Sequence, residues 1–200
     1  MTNRNLAAFL LTVLLLGSVS IKPALAHRFN VALVIEFATG KAEQGRQYRQ
    51  GFMLATTERD AHAGEESDGH LGGLDVYVSE INAGGDLSAE LARIAAPGDI
   101  DIVATFGSPG TWSLANKLLA GADIALLPPG QSPFARPELP GVANFMAAFE
   151  NRYGGKPSAF AAQGYHAARR IDVAVRAQGK ADDKAALRRS FSETGNRFDW

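Results

Sequence analysis

Residues 29–37 read FNVALVIEF, a β-branched run that is apolar at odd and even positions alike. Side chains alternate between the two faces of a sheet, so a strand apolar on both faces must be covered on both. That requirement points to an α/β chain in which helices lie on either side of a mostly parallel sheet. The residues that follow supply the parts. Thr39, Gly40 and Gly45 turn the chain into a helix from about Glu43 to His62, with Tyr48, Phe52, Ala55 and Thr56 along one side. LDVYVSEI (74–81) is a second strand, and Asp86 or Ser88 can cap the short helix SAELARIAA, which ends at Pro97-Gly98. DIVATF (101–106) is a third strand, and Gly107-Ser108-Pro109-Gly110 leads into the helix TWSLANKLLAG. ADIALL (122–127) is a fourth.

There the alternation ends. LLPPGQSPFARPELPGV (126–142) holds five of the nine prolines in the chain. Each fixes its own φ and drives the preceding residue out of the helical region, so the segment is neither helix nor central strand. Only helices follow: Val142 to Tyr153, ended by Gly154-Gly155; a longer one capped by Ser158 and running through Gln178 to a stop at Gly179; and a last one from Asp182 through Phe191. The expected fold is a single doubly wound lobe with a four-stranded, mostly parallel sheet in the order 2-1-3-4 and helices on both faces.

Bulk properties narrow the class. The start, MTNRNLAAFLLTVLLLGSVSIKPALAH, has Arg4, an apolar run from Leu6 to Leu16 and an Ala24-Leu25-Ala26 cleavage site. It reads as a signal peptide over residues 1–26, removed before His27, since the run is short of the ~20 apolar residues a spanning helix needs. Export to the periplasm without membrane insertion is the expectation. There is no cysteine, which removes disulfides and thiolate chemistry. A formal charge of −1 without a long basic block makes nucleic acid a poor partner.

In the order 2-1-3-4, strands 1 and 3 diverge, and their carboxyl-end loops open a crevice where ligands sit in such folds. Those loops are 38–44, with Thr39, and 107–112, with the loop after strand 4, 129–132, beside them. FGSPGTW offers the hydroxyls of Ser108 and Thr111 and the positive end of a helix, a ready place for a small anion. A plain turn with helix caps explains the same residues equally well. Trp112 can stack on a ligand at the crevice mouth or pack the start of its own helix. Glu36, Glu80 and Asp123 near strand ends read as solvated charges rather than a catalytic pair. His62 and His70 flank AGEESDG with no dependable metal spacing, and no metal is expected there. His27, as a new N-terminus, can chelate copper only with a second histidine brought close. His166, beside Tyr165, reads as a packing or surface residue. There is no G-x-G-x-x-G, no G-K-[ST] and no G-x-S-x-G elbow, so neither nucleotide binding nor serine hydrolysis has support and no cofactor or enzymatic activity is expected.

FNVALVIEFATGKAEQGRQYRQGFMLA resembles the opening of the periplasmic leucine/isoleucine/valine-type solute-binding proteins of ABC transporters, with a Thr-Gly turn and glycines six apart, Gly45 and Gly51. DIVATFGSPGTWSLANKLLAGADIALLPPGQSP is similar to their third strand, binding turn, helix and fourth strand. FMAAFENRYGGKPSAFAAQGYHAARRIDVAVRAQGKADDKAALRRSF matches their late stretch almost throughout. The resemblance implies one lobe of a two-lobed binding protein over residues 27–200: strands and helices in 27–127, a seam at 128–141 where a second lobe is absent, and returning helices in 142–200. It also implies a small carboxylate or amino acid held weakly in a half-cleft by Ser108, Thr111, Gly130, Gln131 and Ser132, and an ABC permease as partner. The turn reads GSPGTW where the family has a serine run. The alternative is a non-transport interaction module, or a homodimer that rebuilds the cleft from two copies.

Overall fold

The computed structural model describes residues 28–37, 40–58, 66–96 and 98–197. The signal-peptide reading, His27, Thr39 and His62 therefore lie outside the described residues. Among the described residues five strands form one sheet: β1 (Arg28–Ile35), β2 (His70–Leu71), β3 (Leu74–Asn82), β4 (Ile102–Phe106) and β5 (Ala125–Leu127), in the order β2-β3-β1-β4-β5. β3, β1, β4 and β5 run parallel, which is the expected 2-1-3-4 order. Helices are α1 (Ala42–Thr57), α2 (Leu87–Ile94), α3 (Pro109–Leu118), α4 (Pro140–Tyr153), α5 (Ala159–Gln178) and α6 (Lys184–Glu193).

The two-faced pattern of β1 resolves into two cores. Phe29, Val31, Leu33 and Ile35 face the layer of α1, α4, α5 and α6, with Phe52, Phe145, Ile171 and Phe191 packed against them. Ala32 and Val34 face the other layer, against Leu91, Ile94, Ala115 and Leu119 of α2 and α3. Val31 to Ile35 are wholly buried. This is the covering on both sides that FNVALVIEF demands.

The sheet has one more strand than expected. His70–Leu71 pairs antiparallel with Leu74–Asp75 through a two-residue turn at Gly72 and Gly73, both at positive φ (66° and 84°). That Gly-Gly geometry is what a tight hairpin needs, and the Asp172 carboxylate accepts the Gly72 N–H at 2.7 Å. β5 is shorter than expected, because residues 122–124 turn before pairing begins at Ala125. α3 and α4 each begin earlier than expected, with a proline in the first turn, where its missing N–H costs nothing. Asp86 caps α2 by accepting from Ala89, and Ser158 caps α5. Asp183, rather than Asp182, caps α6. Gly154 and Gly179 end α4 and α5 in the left-handed conformation.

The longest helix contact is the crossing of α1 and α5, and two glycines set it. A Cβ on Gly51 would lie 1.9 Å from the Ala161 carbonyl oxygen, and a Cβ on Gly164 would lie 1.9 Å from that of Tyr48. The backbones touch at that point, which holds Tyr48 on one helix and His166 and Arg170 on the other around the same space. Between β5 and α4 the proline-rich segment forms a single 3-10 turn, Pro133–Ala135, and passes directly into α4.

Candidate functional site

A cavity of about 310 Å³ opens at the carboxyl ends of β4 and β5. Thr105 and Phe106 end β4 beneath it, and Gly107, Ser108, Pro109 and Trp112 border it from the start of α3. The loop after β5 contributes Pro128 to Gln131, α1 contributes Tyr48, and α5 contributes Gln163, His166, Ala167 and Arg170. Two of the three loops expected at the crevice are therefore present. No described residue of the loop after β1 lines the cavity. The site sits over β4 and β5 and is walled by α1 and α5, because Phe106 stacks on Tyr48 (centroids 4.5 Å apart, 23° between planes) and meets Phe160 edge-on at 5.5 Å.

The expected ligand-binding residues divide. Ser108, Trp112, Gly130 and Gln131 line the cavity; Thr111 and Ser132 do not. Ser108 is exposed and works as the cap of α3: its hydroxyl accepts from the Thr111 N–H at 3.3 Å and lies 3.3 Å from the Thr111 hydroxyl. Thr111 is buried in that first turn. The Gln131 N–H donates to the Gly195 carbonyl at 3.0 Å, so its backbone is engaged with the chain end. The Ser132 hydroxyl is buried without a partner, outside the cavity.

Glu80 pairs with Arg49, and Glu36 pairs with Lys41 at 2.8 Å. Glu36 departs from the solvated reading, since its second carboxylate oxygen is buried beside Gly107 without a hydrogen bond. Among the described residues no group of three or more His, Asp or Glu side chains is placed to hold a metal ion.

The residues that sequence reasoning missed are on α5. Arg170 is buried (3% exposed), donates to the Pro128 carbonyl at 2.6 Å and the Phe191 carbonyl at 2.5 Å, and reaches the Thr194 hydroxyl at 3.5 Å. Burial holds its pKa down at about 10, so it remains charged at neutral pH. No ion pair to Arg170 occurs among the described residues. His166 is buried beside it and bonds the Arg197 carbonyl at 2.9 Å. A carbonyl only accepts, so Nε2 carries the proton. Gly130 makes room for both: a Cβ there would stand 3.0 Å from Arg170 Nη1 and from the His166 ring. Trp112 Nε1 and Thr105 Oγ1 are buried at the cavity with no hydrogen-bond partner among the described residues. Among the described residues the lining thus carries one full positive charge, no carboxylate and two unpaired polar groups.

Burial first, and then the Arg170 charge, push the His166 pKa down to about 4. The unfolded chain takes up this proton near 6.5, whereas the folded chain refuses it until about 4. Stability is therefore unaffected by this group above pH 6.5, falls as pH drops from 6.5 to 4, and levels off below. The loss reaches the order of 3 kcal/mol at one pKa unit per 1.36 kcal/mol. Urea unfolding at pH 7, 5.5 and 4.5 measures it, and His166→Gln, which keeps an N–H donor, flattens the profile by one proton.

A family model described as periplasmic binding protein matches residues 70–199. No curated protein matches the sequence. Among solved structures, the solute-binding protein of an ABC transporter from R. palustris, in complex with benzoate, is similar in fold: TM-score 0.50 at 14% identity, over 84% of this chain and 85% of that one.

Proposed function

The chain belongs to the periplasmic binding protein family, whose members bind solutes and are not enzymes, and from that premise we propose that it binds a small carboxylate or amino acid in the cavity over β4 and β5. The observation that carries this reading is the cavity itself. It lies where ligands sit in doubly wound folds, outside the carboxyl ends of parallel strands, and its about 310 Å³ lies at the small end of the range for small-molecule pockets. The benzoate held by the R. palustris protein is a solute of fitting size.

Ser108, Trp112, Gly130 and Gln131 contribute contacts in this reading. Thr111 acts behind them by holding the turn, and Ser132 by starting the turn after the loop. We further propose that the segment 128–141 stands where a two-lobed binding protein crosses to its second lobe, leaving a half-cleft. Without a second lobe to close over the ligand, much of its surface stays wet and affinity is weak. Export to the periplasm and delivery to an ABC permease belong to the same proposal.

A thermal-shift screen against amino acids, amides and small organic acids tests it, with calorimetry on any hit. A ligand present at 100 times its dissociation constant adds about 2.7 kcal/mol, a rise in melting temperature of roughly 5–10 °C for a chain of this size. A cooperative transition that no member of the panel moves overturns the reading.

A further inference from the structure

We infer that Arg170 is the anchor of the cavity and that its ligand is an organic monoacid without an amino group. This rests on the solute-binding reading above. Arg170 has five N–H donors, of which three are bonded, all to uncharged acceptors, two backbone carbonyls and a hydroxyl. A buried guanidinium facing only neutral groups is costly, and a carboxylate entering the cavity offsets that cost with a charge-assisted, planar contact. Trp112, which borders the cavity from α3, has a buried Nε1 without a partner among the described residues.

The same lining disfavours an ammonium. Among the described residues it contains no aspartate or glutamate, and its two ionisable neighbours of Arg170, Tyr48 and His166, carry no negative charge at neutral pH. Glu36 does not border the cavity and is held by Lys41. An amino acid would therefore place its cation near Arg170 without a counter-charge, and it would have to leave water to do so. An acid of the same shape lacking the amino group meets no such penalty. The Phe106–Tyr48 wall receives its apolar body.

The test uses matched ligands on the full protein: benzoate against benzamide, and 4-methylpentanoate against leucine, by calorimetry at pH 7. The acids are expected to bind at least 10-fold more tightly than the amide and the amino acid. Arg170→Met is expected to abolish that preference by lowering acid affinity to that of the amide, while Arg170→Lys restores part of it. Since Arg170 also ties three segments together, circular dichroism checks folding of each variant. Gly130→Ala is a second probe that keeps the guanidinium but crowds it, with a Cβ 3.0 Å from Nη1, and it is expected to weaken benzoate more than benzamide. Should leucine or benzamide bind as well as its matched acid, or neither acid bind while other members of the wider panel do, the inference falls and the solute-binding reading stands. A panel silent throughout removes both.

Discussion

Gly164→Ala is expected to destabilise the protein at the upper end of the ~1–3 kcal/mol typical of overpacking, or beyond it. Its Cβ would lie 1.9 Å from the Tyr48 carbonyl oxygen, with the Tyr48 carbonyl carbon at 2.8 Å and the Phe52 nitrogen at 3.1 Å. All three are backbone atoms in a helix, so none can swing aside as a flexible side chain would. The two helices must separate, and every buried side chain between them loses contact. Alanine's better helix propensity returns about 1 kcal/mol, which does not cover the loss. Gly51→Ala meets the Ala161 carbonyl at the same 1.9 Å and should cost a similar amount. Because both substitutions open one crossing, the double variant should cost clearly less than the sum. Gly121→Ala, with nothing within 4 Å, is the control and should be neutral within ~0.5 kcal/mol. Urea unfolding reads all four. Near-equal melting of Gly164→Ala and Gly121→Ala would mean that the helices do not cross this closely.

That crossing also shows how far the sequence could be read. Gly51 stood out through its spacing from Gly45, whereas Gly164 was one residue of a helical stretch with nothing local to mark it. The strand order, two covered faces, Ser158 cap and left-handed stops at Gly154 and Gly179 were legible because periodicity and end signals are local. The hairpin was not. A two-residue strand has no periodicity, and only the Gly72-Gly73 pair flanked by Leu71 and Leu74 marks it.

In the site, topology pointed to the loops after β1, β4 and β5; of the residues named there, Ser108, Trp112, Gly130 and Gln131 line the cavity, and no described residue of the β1 loop does. Thr111 and Ser108 could serve as ligands or as a cap, and the cap geometry absorbs Thr111. Arg170 and His166 were illegible because α5 is buried nearly all round. In such a helix, charged residues cannot be sorted by face into solvated and enclosed ones, and the run Ala168-Arg169-Arg170-Ile171-Asp172 reads as surface charge until its neighbours are known.

Asp172 in that run is expected to be among the most sensitive polar positions in the chain. It is buried (3% exposed) and accepts from the Gly72 N–H at 2.7 Å and Arg176 Nη2 at 2.8 Å, with Arg169 Nη1 at 3.5 Å. Arg169 is itself buried, and its Nε has no partner among the described residues. Asp172→Ala therefore does two things at once. It leaves a guanidinium enclosed without its counter-charge, and it strips the hairpin turn of the acceptor that pins it to α5. Removing one member of a buried pair costs about 3–5 kcal/mol, most of it from the charge left behind. Asp172→Asn should cost less, since the amide oxygen can still accept from Gly72 while only the charge is lost. If the stranded charge dominates, then Arg169→Met placed in the Asp172→Ala background should recover a large part of the loss, giving a strongly non-additive cycle. If the hairpin contact dominates, the second substitution should recover nothing, and amide exchange should show the 70–75 turn opening in both variants. Unfolding midpoints of the four proteins in the cycle, with exchange at Gly72 and Gly73, separate the two causes.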